Sequence, residues 1–109
     1  MKRTLRALTI ILLLGGAVCP YWLAAQTNAA SLFKSKCVMC HGEDGSGNTP
    51  SGKALKAKDL RSEETQKKSD SEITEVVTKG RNKMPAFAQK LKPEQIQQLV
   101  AYVRQLPKK

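Results

Sequence analysis

The chain has 109 residues and a mass of 12.0 kDa, room for one small domain, which excludes large α/β enzymes, repeat arrays and multidomain architectures. It is basic, with 19 Lys and Arg against nine Asp and Glu and a net charge of +10. Of 44 apolar residues, 17 fall in Met1–Ala25, leaving 27 for the other 84 positions. A chain that short buries roughly 60–65% of its unfolded surface and gains almost nothing net from side chains alone. The domain therefore needs a staple: a metal, a disulfide or a bulky cofactor.

Lys2, Arg3 and Arg6 precede an uncharged run from Ala7 to Ala25, centred on Ile10-Ile11-Leu12-Leu13-Leu14 and ending in Ala24-Ala25. That is the layout of a bacterial export signal cleaved after Ala25. An uncleaved membrane anchor is the rival reading. The 19 uncharged residues approach the roughly 20 that span a bilayer, with Tyr21 and Trp22 at the interface, but Gly15, Gly16 and Pro20 interrupt them. Lipidation at Cys19 is a third reading. All three set a domain over 26–109 outside the cytoplasm, in the periplasm or an equivalent space, with anchoring to the inner membrane if the leader is uncleaved. Removing the leader leaves about +7, which either steers the domain toward anionic partners or keeps it soluble. Nucleic acid does not suit an exported domain with three aromatics and no clustered basic helix.

Gln26–Cys40 carries Ala29, Leu32, Phe33 and Cys37 at helical spacing. His41–Asp59 reads as a loop, with Gly42, Gly45, Gly47, Pro50 and Gly52. Ser69 and Glu72 form a capping box that starts a helix over Ser69–Lys79, with Ile73, Val76 and Val77 on one face and Gly80 as the stop. Pro93 suits the first position of a last helix, whose stripe is Ile96, Leu99, Val100, Val103 and Leu106, ended by Pro107. No run alternates convincingly, so the chain reads as all-α.

Cys37-Val38-Met39-Cys40-His41 carries the chemistry. Two thiols three residues apart face the same way on a helical turn, and a His follows at once, the attachment signature of covalent c-type haem. Each thiol can add to one vinyl group, and His41 meets the iron from one side. The porphyrin then supplies the missing hydrophobic centre. A Cys37–Cys40 disulfide is an alternative in an oxidising compartment. A thioredoxin-like site lacks its βαβ context. Zinc lacks a second ligand pair, because His41 is the only His and Cys19 lies in the leader.

A low-spin electron-transfer iron takes Met as its sixth ligand. Met39, between the thioether cysteines, cannot reach the opposite face. Met84 can, because Pro85 forces it into an extended conformation suited to presenting a thioether. The plainer reading of Met84 is a core methionine beside a turn. Gly47–Lys53 has P-loop spacing, but Ala54 replaces the magnesium-binding hydroxyl and no strand precedes it.

From Ala29 to Leu106 the chain resembles the small class I c-type cytochromes, the short soluble kind of bacteria and algal photosynthetic chains. The resemblance rests on Leu32-Phe33 leading into Cys37–Gly42, the loop Glu43-Asp44-Gly45-Ser46-Gly47, Met84-Pro85 after a glycine turn, and the terminal Leu99–Arg104. It implies an all-α fold of three to four helices wrapped around one covalently bound haem c, with thioethers at Cys37 and Cys40. His41 and Met84 would be the axial ligands. It also implies that Phe33 meets Tyr102 where the terminal helices cross, and that the Pro50 carbonyl accepts a hydrogen bond from the far nitrogen of His41. The alternative for Pro50 is an ordinary loop proline. The expected function is not enzymatic: a monomeric carrier shuttling single electrons between redox proteins with acidic docking faces, in transient complexes. A membrane-anchored haem module of an oxidase or dehydrogenase, and an open-site peroxidase-like haem enzyme, are the alternatives.

Overall fold

Caps and apolar stripes decide where the helices run. In the computed structural model residues 21–108 are described, with side chains from Asn28 onward, so the leader expected over 1–25 lies largely outside the described residues. Helix α1 spans Tyr21–Lys36, α2 Val38–His41, α3 Pro50–Leu55, α4 Glu63–Gln66, α5 Asp70–Lys79 and α6 Pro93–Gln105. Among the described residues there is no strand, only an isolated bridge between Arg81 and Met84. No helix there is long and apolar enough to cross a membrane.

The long helices follow the sequence signals. Ser69 Oγ accepts from the Glu72 amide at 3.1 Å, and Glu72 Oε2 accepts from the Ser69 amide at 2.6 Å, so the box that opens α5 is closed in both directions. Gly80 ends that helix with φ +75°, a conformation that costs a residue with a Cβ. Pro93 opens α6, and Gln95 Oε1 accepts from the Lys92 amide at 2.8 Å.

The apolar face of α6 then packs against α1. Phe33, Phe87, Leu91, Ile96, Leu99, Val103 and Leu106 form one buried cluster, and the Phe33 and Tyr102 rings meet with centroids 5.0 Å apart at 43°. That is the aromatic contact expected at the crossing of the terminal helices. Arg104, on α6, donates to the Gln66 carbonyl at 2.9 Å, to Asp70 Oδ1 at 3.0 Å and to the Lys68 carbonyl. These bonds tie the α4–α5 junction to the last helix.

The segment expected to be loop is partly helical. Pro50–Leu55 forms α3 because Thr49 caps it, its hydroxyl accepting from the Gly52 amide at 2.8 Å. The first helix also differs from expectation. It begins at Tyr21 and breaks at Cys37, so the haem-type motif forms its own short helix, α2. Three long helices and three of four to six residues make up the described fold.

Candidate functional site

The motif is held from two sides. On α2, the Cys40 and His41 amides return to the Cys37 carbonyl at 3.2 and 2.9 Å, which keeps Cys37 and Cys40 on one turn. Both sulfurs are free, so the disulfide reading is not realised. Burial, with the neighbouring Cys40 adding to it, pushes the Cys37 thiol up to about 11, so it stays protonated at neutral pH. The last carbonyls of α2 lack partners within the helix. The Thr49 hydroxyl supplies one, 2.8 Å from the Met39 carbonyl and 3.2 Å from that of Cys40. Gly52 brings α3 against the same turn, for a Cβ there would lie 2.2 Å from the Cys40 carbonyl oxygen.

His41 leaves α2 into a tight loop. Its own carbonyl accepts from the Gly47 amide at 2.7 Å, and Gly42, Gly45 and Gly47 all have φ near +77°. Its Nδ1 lies 3.0 Å from the Lys58 carbonyl oxygen. A carbonyl only accepts, so Nδ1 carries the proton and Nε2 keeps the lone pair. Burial moves the His41 pKa below its ordinary 6.5, outweighing the opposite push of the Lys58 bond, and the ring is neutral at pH 7. This is the form in which imidazole binds a metal.

The bond corrects one expectation. Pro50 was expected to supply the carbonyl that orients His41, but Pro50 is the first residue of α3 and the acceptor is Lys58. The physical reason is the capped helix: Pro50 is committed to opening α3, while the extended chain after it returns past the ring. Lys58 had no sequence signal of its own, because any residue offers a carbonyl.

Met84 sits at the far end of α5 on a pinned turn. Arg81 donates to the Met84 carbonyl at 3.1 Å and Met84 donates back at 2.9 Å, with Asn82 at φ +53°. Phe87 and Ala88 then bond to the Val77 and Thr78 carbonyls at 3.0 and 3.2 Å, which locks Met84-Pro85 against the end of α5. Gly80 is needed here, since a Cβ would lie 2.7 Å from the Met84 carbonyl oxygen. Met84 itself is half-buried and packs on the core cluster, as do Val38, Leu60 and Val77. Met39 is 77% exposed and takes no part in the core.

These residues fit a haem. The chemistry each can offer suits that group: two free thiols on one turn, a neutral imidazole with its lone pair on Nε2, and a thioether on a pinned turn. Half-buried Val38, Leu60 and Val77 offer apolar surface for a porphyrin to cover. The helical fold and this donor set define a domain built to hold one covalently attached haem.

Comparison with known proteins agrees. A family model described as "Cytochrome C oxidase, cbb3-type, subunit III" matches residues 24–103. Cytochrome c6 of Nostoc sp. (strain PCC 7120 / SAG 25.82 / UTEX 2576) is 40% identical over 84 residues, covering 77% of this chain and 73% of that one. Cytochrome c6 of Thermostichus vulcanus is 38% identical over 104 residues, covering 94% and 89%. Among solved structures, the KustC0563 c-type cytochrome superposes with a TM-score of 0.68 at 36% identity, covering 73% of this chain and 98% of its own. The chain belongs to the small class I c-type cytochromes. It carries one haem c and works as a monohaem electron carrier.

Proposed function

We propose that His41 and Met84 are the axial ligands of that haem, that Cys37 and Cys40 hold it by thioethers, and that the domain, 26–109, works after export. The observation that carries the proposal is the His41 Nδ1 contact to the Lys58 carbonyl at 3.0 Å, which leaves Nε2 available for iron. The rigid turn around Met84 supports a ligand that stays bound in both oxidation states, so one-electron transfer needs little rearrangement. Bound in this way, the haem supplies the one-electron chemistry. The protein's own part is to fix the ligands and keep the iron closed to small molecules. No His remains to assist peroxide chemistry, since His41 is the only one.

The charge distribution supports an acidic docking partner. Gly80–Lys92, around Met84, carries Arg81, Lys83, Lys90 and Lys92 and no acid, whereas Asp59–Lys79 carries six acids against four cations. A partner approaching the basic side is steered by this field in a short-lived complex. The leader pattern supports the periplasm or an equivalent compartment. Two measurements test the reading. The ferrous protein should not bind carbon monoxide, and its exchange rate with an acidic redox protein should fall as salt rises from about 0.01 to 0.15 M, as the Debye length contracts from about 30 to 8 Å. Rapid carbon monoxide binding would overturn the closed site, and a salt-independent rate would overturn the steering.

A further inference from the structure

We propose that Arg61 is a positioning residue for the His41 ligand, acting through Asp59 on the Lys58 carbonyl that accepts the Nδ1 proton; this rests on His41 as an iron ligand. The carbonyl lies in a segment anchored at both ends. Ala57 donates to the Gly52 carbonyl and Leu60 to the Gly45 carbonyl, each at 2.8 Å. Between those anchors the Lys58–Asp59 peptide is held further through the Asp59 side chain. Its carboxylate accepts from the Arg61 amide at 2.9 Å, from Nε at 3.1 Å and from a terminal guanidinium nitrogen at 3.1 Å. The Thr65 hydroxyl, buried, donates to the Asp59 carbonyl at 3.1 Å and holds the residue from its other end.

The same guanidinium reaches across to Asp44 Oδ2 at 3.7 Å. Asp44 lies in the loop that leaves His41, where its carboxylate also accepts from the Ser46 amide at 3.0 Å. Arg61 therefore joins the loop after the ligand to the segment that holds the ligand's acceptor. The arrangement differs from the ordinary surface pairs of this domain. The Arg61 and Asp59 side chains are 21% and 22% exposed, against 71% and 63% for Lys79 and Glu75. A forked, bidentate arginine fixes a carboxylate's direction in a way that a lysine cannot.

The consequence for iron has a definite sign. A firm Nδ1–H···O=C bond makes the imidazole a stronger donor, which favours the ferric state. Loosening it raises the reduction potential. Removal of the arginine charge acts in the opposite direction, because a nearby cation disfavours the ferric state. Arg61→Lys keeps the charge and loses the fork, so it separates the two effects.

The test uses the haem-loaded protein and reads the reduction potential together with the exchange rate of the His41 Nδ1 proton by NMR. Arg61→Lys is expected to raise the potential and speed that exchange. Lys79→Gln, which breaks an exposed pair on α5, should change neither. Asp59→Asn serves as the second variant, and there the exchange rate alone decides, because removal of the negative charge itself raises the potential. Unchanged exchange in both variants overturns the proposal. So does failure of both to hold haem, since the thioethers do not depend on the Lys58 carbonyl. A parent protein without a His-ligated spectrum would instead overturn the ligand assignment.

Discussion

Gly52→Ala sets two well-defined effects against each other. Gly52 is buried on the first turn of α3 and its φ is ordinary, so alanine meets no backbone strain and should gain about 1 kcal/mol of helix propensity. Against this, the new Cβ would lie 2.2 Å from the Cys40 carbonyl oxygen and 2.4 Å from that of Gly47, both backbone atoms. Real contacts of a Cβ stay beyond 3.0 Å. The first turn of α3 must therefore retreat from α2 by about 1 Å, which also draws the Thr49 hydroxyl away from the Met39 and Cys40 carbonyls. Overpacking costs about 1–3 kcal/mol, and two rigid neighbours put this case at the upper end. The net expectation is a loss of about 2 kcal/mol, read from denaturant midpoints of the haem-loaded protein, with a smaller fraction of chains loaded. Ala54→Gly, an exposed position in the same helix, should lose only about 1 kcal/mol of propensity. A Gly52→Ala variant as stable as the parent, or more so, would refute the close contact between α3 and the cysteine turn.

Two further outcomes follow from the same structure. Phe33, 2% exposed and in tilted ring contact with Tyr102, should cost about 3–5 kcal/mol when changed to alanine, measured by chemical unfolding, and a loss under about 1 kcal/mol would mean that the terminal helices do not cross there. Stability should also fall as the pH drops below 6.5. The folded His41 has a lowered pKa and refuses a proton that the unfolded chain accepts near 6.5, so its contribution is whole above that value and is lost as the pH drops. Asp44, Glu72 and Glu75 are held below their ordinary 3.8 to 4.5 by their hydrogen bonds to Ser46, Ser69 and Lys79 and act only at lower pH. Denaturant midpoints that stay flat from pH 8 to 5 would contradict this.

The parts of the fold that were legible are those with local chemistry. Ser69 with Glu72, and Pro93 before a regular apolar stripe, mark α5 and α6 almost to the residue. The motif Cys37–His41 and the dipeptide Met84-Pro85 were equally plain. Helices α3 and α4 were not, since four to six residues are too few to show a period, and α2 reads in sequence as the continuation of the first helix. Their caps, Thr49 and Ser62, are ordinary polar residues until the tertiary structure uses them. The His41 acceptor is hidden in the sequence for a related reason. A backbone carbonyl has no side-chain signature, so nothing in the sequence marks Lys58 rather than Pro50. One signal did exist: Asp59, two residues before Arg61, is the pattern of a side chain capping its own turn, and it marks the segment that holds the ring.

Absorption spectra of the oxidised and reduced haem-loaded protein, recorded beside Met84→Ala, decide whether iron is held between His41 and Met84. The parent is expected to show a low-spin spectrum with the weak far-red iron–methionine band, and the variant to lose it. A high-spin parent spectrum that the substitution leaves unchanged would contradict that ligation and put an open-site haem protein in its place.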